Sequence, residues 1–379
     1  MSVPEVHLIL SIGLIEKDRN GDALWVWCYP SVTAELREIL LRKCPLHQER
    51  PPPHSFLYGQ HNRVWFYIAA NQVEEVPVLD KITHFCVVLT AKDFNPEKYA
   101  ALSRILSRIY MKQGSPVPMM ESYLSVLTKG ACSNEENGTF LCRDYDQRRA
   151  FLSSSVKGGW NPLDVVSVLP GESRLHIFSF LVEVVSQFGM ETIILYTALM
   201  LKKRIVVFHP KLEALQEFTR ALPAFVWHRQ DWSIVHPYVH LIQVETITLQ
   251  NCTGYVAGFT DPDVSNRLDL YDVYVNLAER NITVSQNAKE ALALGKLHKD
   301  IGQMIVQLAE DPETSDNQII KDINGKTREI LSTLSSFAES SKEGEKPSIN
   351  VELLRQKKFA PVTEQFLFQL AAAEQMLQT

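Results

Sequence analysis

His228, His236 and His240 are the side chains whose type and crowding suggest metal chemistry. His236 and His240 stand four residues apart, a spacing that on a helix puts both imidazoles on one face, as zinc-assisted hydrolysis uses them. That chemistry also needs an unbroken helix and an acidic general base in the zinc-protease position. Pro237 breaks the helix, and no acidic residue precedes either histidine in that pattern, so the spacing alone does not make a zinc site. Trp232 and Tyr238 beside them read first as core anchors. Arg174, His176 and Glu183 supply a cation, a base and an acid without forming a recognisable catalytic set. No GxSxG nucleophile elbow, GxGxxG turn or GxxxxGK[ST] phosphate cradle is present. The cysteines, Cys28, Cys44, Cys86, Cys132, Cys142 and Cys252, contain no CxxC pair and read as reduced, mostly buried thiols of a cytosolic protein.

The elements around these residues are clearer than their chemistry. Between Glu172 and Thr260 the pattern alternates helix and strand. Phe178, Leu181, Val182, Val185 and Phe188 recur at helical steps, and Ile193, Tyr196, Thr197, Met200 and Leu201 form one face of a second helix. Gly189 lies between them, where a C-cap belongs. Ile205-Val206-Val207-Phe208 is a short β-branched run, the pattern of a strand covered on both faces. His209-Pro210 ends it, and Leu212, Leu215, Phe218 and Leu222 give the next helix its buried stripe. Helices alternating with buried strands imply an α/β layer with right-handed crossovers.

The 379 residues are 45% hydrophobic, enough for one large or two moderate cores. A net charge of −6 argues against a nucleic-acid binder on bulk electrostatics. Val6–Ile15 contains His7 and follows Glu5, unlike a signal peptide, and no run reaches the length of a membrane span. Asn137-Gly-Thr, Asn251-Cys-Thr and Asn281-Ile-Thr therefore read as chance glycosylation sequons. Lys202-Lys203-Arg204 suits a helix C-terminus; a membrane-surface patch is the alternative.

Taken in order, Val6–Ile15 reads as a strand, Asp18–Asp22 as a hairpin turn and Leu24–Tyr29 as the returning strand. Alternation puts Trp25 and Trp27 on one strand face. Ser31 or Thr33 caps a helix through Lys43, with Leu36, Ile39 and Leu40 inward. Cys44–His54, with Pro51-Pro52-Pro53, is a loop. Phe56–Gly59, Val64–Ala70 and Ile82–Leu89 read as strands. Phe94-Asn95-Pro96 opens a helix with Tyr99, Leu102, Ile105, Leu106 and Ile109 on one stripe. Arg104, Arg108 and Lys112 lie on its other side, as a solvated face or a basic patch for an acidic partner or lipid. Met119–Thr128 reads as a helix, Gly130–Gln147 as a polar loop, and Ser153–Gly159 as a loose linker ending at Trp160. Thr260–Asp263 is a turn and Asp269–Leu277 a half-buried strand. From Asn287 the chain reads as helical, with Leu292, Leu294, Leu297, Ile301, Ile305 and Leu308 inward until Asp311-Pro312, and Ile319–Leu334 forms another helix. Ser335–Ser348 is low in apolar residues and reads as mobile. Phe366, Leu370, Ala373 and Leu377 mark a last helix that docks on its own core or in a partner's groove.

The chain resembles a DENN domain. The residues that carry the likeness are Leu195-Tyr196…Leu199-Met200-Leu201 running into Arg204–Phe208, then Leu222-Pro223…Trp227…Trp232…Val235-His236-Pro237-Tyr238-Val239, then Tyr255-Val256-Ala257-Gly258-Phe259. The likeness covers nearly the whole chain and is sharpest over about residues 172–260. It implies an α/β fold class: a longin-like antiparallel sheet lobe at residues 1–130, a linker at 131–159, a central α/β lobe at 160–280, and a helical part at 281–379 with the mobile loop 335–348. It implies guanine-nucleotide exchange on a Rab-family GTPase in endosomal vesicle trafficking, with no cofactor, metal or covalent step. The alternative is a non-catalytic scaffold subunit of an endosomal complex that binds coiled-coil partners. The implied location is cytoplasmic and peripheral to late endosomes. The partner-facing residues expected are Arg37 and Glu38 on the first helix, and Trp232, His236 and Tyr238 along one groove edge. Two loops depart from the family's pattern: Asn251–Gly254 replaces a proline-rich turn, and Asn276–Ala278 replaces acidic residues closing the next strand.

Overall fold

Asn20 and Gly21 reverse the chain after its first strand. Gly21 holds φ +99°, and the Asp18 carboxylate accepts from the Asn20 and Asp22 N–H groups at 2.9 Å. The computed structural model describes residues 8–47, 54–74, 76–134, 138–145, 180–339, 348–349 and 351–377. Residues 1–158 and 159–379 form two compact units. The expectations for Arg174, His176, Phe178 and the linker to Trp160, for Pro51–Pro53, and for residues 340–347 lie outside the described residues.

In the first unit, β1 (Ile9–Asp18) and β2 (Ala23–Tyr29) pair antiparallel. The helix α1 (Ala34–Lys43) follows, with Thr33 Oγ1 accepting from the Leu36 N–H at 3.3 Å. Then come β3 (His54–His61), β4 (Val64–Gln72) and β5 (Ile82–Ala91). The five strands run β2-β1-β5-β4-β3, antiparallel throughout. Two capped helices complete the lobe: α2 (Pro96–Gln113) begins at Asn95, and α3 (Pro116–Lys129) begins at Ser115.

The helices divide between the two sheet faces. Tyr110 of α2 donates to Glu16, and Tyr123 of α3 meets Tyr29 edge-on at 6.5 Å, so both pack on the face of Ile12 and Leu14. On the other face, the Arg37 guanidinium of α1 lies 5.7 Å from the Trp25 ring. A bulge between Leu14 and Ile15 pairs Trp27 with Leu14 and Trp25 with Ile15, so the two tryptophans occupy opposite faces rather than sharing one. Gly13 makes room for this, since a Cβ there would lie 2.6 Å from the Trp25 indole. The stretch expected as a polar loop after α3 instead contains an antiparallel hairpin, β6 (Ala131–Asn134) with β7 (Gly138–Leu141), which buries Cys132 and Phe140.

The first described elements of the second unit are α4 (Phe180–Phe188) and α5 (Thr192–Met200). Gly189 at φ +51° turns the chain between them. α5 is buried all round rather than on one face, because Leu195, Ala198 and Leu199 are covered as fully as Ile193 and Tyr196. Next come β8 (Arg204–Phe208), α6 (Leu212–Ala221), β9 (Val235–Val239), α7 (Gln243–Gln250), β10 (Tyr255–Phe259), β11 (Val273–Asn276) and β12 (Asn281–Val284). The sheet order is β12-β11-β8-β10-β9; β9, β10, β8 and β11 are parallel, and β12 returns antiparallel. β8, flanked on both sides, is the buried strand its composition predicts. β11 is shorter than the alternation from Asp269 to Leu277 suggests, because Asp269 and Asp272 are engaged by Arg267 and Arg204 before the ladder begins.

Helices complete the unit. α8 (Lys296–Glu310) starts later than the apolar stripe from Asn287 implies, and α9 (Asp316–Ser335) follows. The two-residue strands β13 (Ala338–Glu339) and β14 (Ser348–Ile349) pair, and α10 (Val351–Gln356) and α11 (Pro361–Ala373) end the chain. α11 docks on its own core: Phe366 is 3% exposed and Leu370 is fully buried.

One departing loop now has a physical reason. A Cβ on Gly254 would lie 2.1 Å from the Lys202 carbonyl oxygen, a backbone atom that has no rotamer to escape into. Gly254→Ala is therefore expected to destabilise the chain by about 1–3 kcal/mol. Calorimetric melting of the two proteins measures this; an unchanged melting temperature would mean that the backbone around Lys202 yields freely.

Candidate functional site

α1 presents its charged residues at the surface. Arg37 Nη2 donates to the Trp25 carbonyl at 3.4 Å while its guanidinium covers the indole, which pre-orients the head group. Glu38 accepts from Arg42 at 2.6 Å, one turn on. Both side chains of that pair are more than half exposed, so it contributes at most about 1 kcal/mol. The amino end of α1 is tied down by Glu35, whose carboxylate meets His61 Nε2 at 3.0 Å.

The second group lies on and before β9, an edge strand of the second sheet. Trp232 stands edge-on to the buried Trp227 at 5.7 Å, and its Nε1–H donates to the Arg220 carbonyl at 3.4 Å. His236 is 6% exposed and faces the Tyr255 ring, so it holds the strand in the core. Tyr238 is half-buried, with its hydroxyl 3.0 Å from His240 Nε2. The His240 N–H donates to Glu245 Oε2 at 3.1 Å, and His240 Nδ1 lies 3.4 Å from the other carboxylate oxygen. Burial, with Glu245 close by, pushes the Tyr238 hydroxyl up to about 12. It therefore stays protonated at neutral pH and serves as a hydrogen-bonding group, not a nucleophile. Of the residues singled out in the sequence, Trp232, His236 and Tyr238 lie in this unit, each on a different partner: Trp227, Tyr255 and His240; Arg37 and Glu38 are neighbours on α1 in the other.

Sequence reasoning missed the polar node beside them. Arg229 donates to the Leu199 and Met200 carbonyls at 2.6 Å each, and to Glu374 Oε1 at 3.0 Å from Nε and 2.5 Å from Nη2. His228 Nε2 lies 3.2 Å from the same carboxylate oxygen. Burial would raise the Glu374 carboxyl, but the hydrogen bonds from His228 and Arg229 outweigh it and hold it at about 2. No sequence pattern announces a contact between positions 145 residues apart.

A groove of about 280 Å³ lies at the carboxy ends of β8 and β11. Phe218, Leu277, Glu183, Glu217, His209 and Arg280 line it. It falls just below the roughly 300–1,000 Å³ usual for small-ligand pockets. Among the described residues, no group of three or more His, Cys, Asp or Glu side chains is placed to hold a metal. No described helix is long and apolar enough to cross a membrane. The arrangement offers hydrogen-bonding and aromatic surface.

Residues 178–286 match the family model described as Stabilization of polarity axis. Over 375 residues the chain is 60% identical to human DENN domain-containing protein 10, covering 99% of this chain and 98% of that protein. The Danio rerio protein of the same name is 58% identical over 377 residues, covering 100% of this chain and 99% of its own length. That of Dictyostelium discoideum is 33% identical over 379 residues, covering 96% of each. The chain belongs to the family of DENN domain-containing proteins.

The Arg229 node generates a pH-dependent expectation. Glu374→Gln should cost about 2–3 kcal/mol at pH 7, the low end for breaking a buried pair, because Arg229 and Glu374 retain 14% and 19% exposure. The folded carboxyl, at about 2, lies below its ordinary 4.5, so its stabilisation is complete above pH 4.5 and disappears as pH falls toward 2. Urea unfolding of both proteins at several pH values measures this, and their stabilities should converge across that window. A constant difference down to pH 2 would assign the effect to packing instead.

Proposed function

We propose that this DENN-family chain is a guanine-nucleotide exchange factor that promotes GDP release from a Rab-family GTPase in endosomal vesicle trafficking. The observation that carries the reading is the similarity to DENN domain-containing proteins along the whole chain, across both compact units. Exchange breaks no covalent bond. It requires a surface that binds the nucleotide-free GTPase more tightly than its loaded forms, so that binding energy shifts the GTPase toward release. In this reading Arg37 and Glu38 on α1 are partner-facing residues of the first unit, and Trp232 and Tyr238 are partner-facing residues of the second. His236 acts behind them by fixing β9. Pre-orientation of Arg37 on Trp25 lowers the entropy lost when its guanidinium pairs with a carboxylate.

A scaffold reading has its own support. α7 exposes Val244 and Ile247, 39% and 45% accessible and three residues apart, the kind of short apolar stripe that a helical partner covers. A scaffold would bind constitutively, without preference for a nucleotide state.

Release of a fluorescent GDP analogue from a panel of purified Rab proteins separates the two. Acceleration confined to one or a few Rabs is expected. Arg37→Glu is then expected to lower kcat/KM by about tenfold or more, corresponding to about 1.4 kcal/mol of lost complementarity, with an unchanged melting temperature. If the folded chain accelerates no member of the panel, the exchange reading fails.

A further inference from the structure

The carboxy end of α1 brings two thiols into contact. Cys44, the C-cap of α1, and Cys86, in the middle of β5, hold their sulfurs 3.0 Å apart. Cys86 is fully buried, and Cys44 is 2% exposed. Neither sulfur is free to drift. Cys86 sits in a strand paired on both sides, opposite Ile15 of β1 and Ala70 of β4. The Cys44 N–H donates to the Leu40 and Leu41 carbonyls at 3.0 and 3.3 Å, which fixes the helix end. A sulfur–sulfur bond is ~2.05 Å long, so about 1 Å of approach converts this contact into a disulfide.

We propose that Cys44 and Cys86 form a redox modification site, at which a small peroxide joins them and locks α1 to the central strand of its sheet. The Cys44 sulfur attacks an oxygen of hydrogen peroxide, the O–O bond breaks, and a sulfenic acid and one water form. The Cys86 sulfur then attacks the Cys44 sulfur. The S–S bond forms, and the hydroxyl leaves with a proton as a second water. An electron pair passes from the thiols to the peroxide, and both thiol protons leave in the waters. Burial, with Cys44 beside it, pushes the Cys86 thiol well up, and the first attack is written for Cys44 because it keeps 2% of its surface while Cys86 keeps none. The bond spans 42 positions of chain and fixes the carboxy end of the helix that carries Arg37 and Glu38. The inference rests on the packing of α1 against β5 and stands whether or not the chain acts on a Rab.

The test uses the folded full-length chain. It is treated with hydrogen peroxide, quenched with catalase, alkylated with iodoacetamide, digested without reductant and mapped by mass spectrometry. The expected product is a Cys44–Cys86 cross-linked peptide that dithiothreitol reverses. A rise in melting temperature on the order of 5 °C should accompany it. Cys28 and Cys252, both half-buried, serve as internal references for oxidant reaching the chain. Recovery of Cys44 and Cys86 as alkylated thiols, under conditions that oxidise Cys28 and Cys252, would overturn the proposal. So would a Cys44–Cys86 bond that forms only after unfolding in urea.

Discussion

The second unit depends on one guanidinium. α5 is buried on every side, and the last carbonyls of a helix have no partner within it. The Lys202 N–H already reaches the Leu199 carbonyl at 3.1 Å, so it is the Met200 carbonyl that Arg229 keeps from being an orphaned acceptor, which would cost about 1–3 kcal/mol. Arg229 supplies the donors, giving two N–H groups to Leu199 and Met200 while keeping others for Glu374. Lysine could not do this, because the task needs a planar fork that bonds in two directions at once. The same contact fixes the end of α11, so the tail is held by the device that closes α5. Just past the satisfied carbonyls, Lys202 turns at φ +50° and the chain enters β8, whose first residue, Arg204, bonds to Asp272. The route from Arg229 to the middle of the parallel sheet is a chain of satisfied polar groups.

That arrangement explains why the polar residues around the sheet are poor candidates for covalent chemistry. Arg204, Arg229, Asp272 and Glu374 are consumed by helix ends and strand starts. His298 is fully buried, with Nδ1 accepting from the Gly295 N–H and its ring edge-on to Phe366 at 4.6 Å. Burial lowers it to about 4, so it is neutral at physiological pH and packs α8 against α11. Among the described residues, α1 in one unit and the stretch beside β9 in the other keep polar and aromatic side chains at or near the surface.

The sequence made local structure legible wherever the signal was local. Asn20-Gly21 announced its turn, the pair Ser31 and Thr33, and Asn95, their helix starts, and Ile205–Phe208 its buried strand, because turn geometry, capping and burial each act within a few residues. The failures were of another kind. The bulge opposite Leu14 and Ile15 inverts the face of Trp27, and alternation has no term for an inserted residue. The β6–β7 hairpin and β12 are four-residue strands, too short for periodicity to separate from loop. α5 looked one-faced because a helix buried all round shows no phase. For the candidate site, α1 was legible as an element; β9 was not, since Pro237 interrupts its pattern, and the chain carried no local mark of Arg229 and Glu374.

The two loops that depart from the family's pattern separate on physical grounds. Asn251–Gly254 lies at the amino end of β10, and its glycine is dictated by the Lys202 carbonyl that passes beneath it. That departure is a packing solution belonging to the same turn that leads out of α5. Tyr238 and His240 lie at the opposite, carboxy end of the parallel strands, where α/β sheets present their ligand-binding loops. Asn276–Ala278 is at that end too, and Leu277 and Ala278 border the groove beside α4 and α6. A further detail marks the same loop. Arg280 sits at φ +54°, a left-handed position where glycine would be unstrained, and lines the groove. Of the two departures, then, the one at 276–278 is the change that alters a surface, and the one at 251–254 is the change that preserves a core.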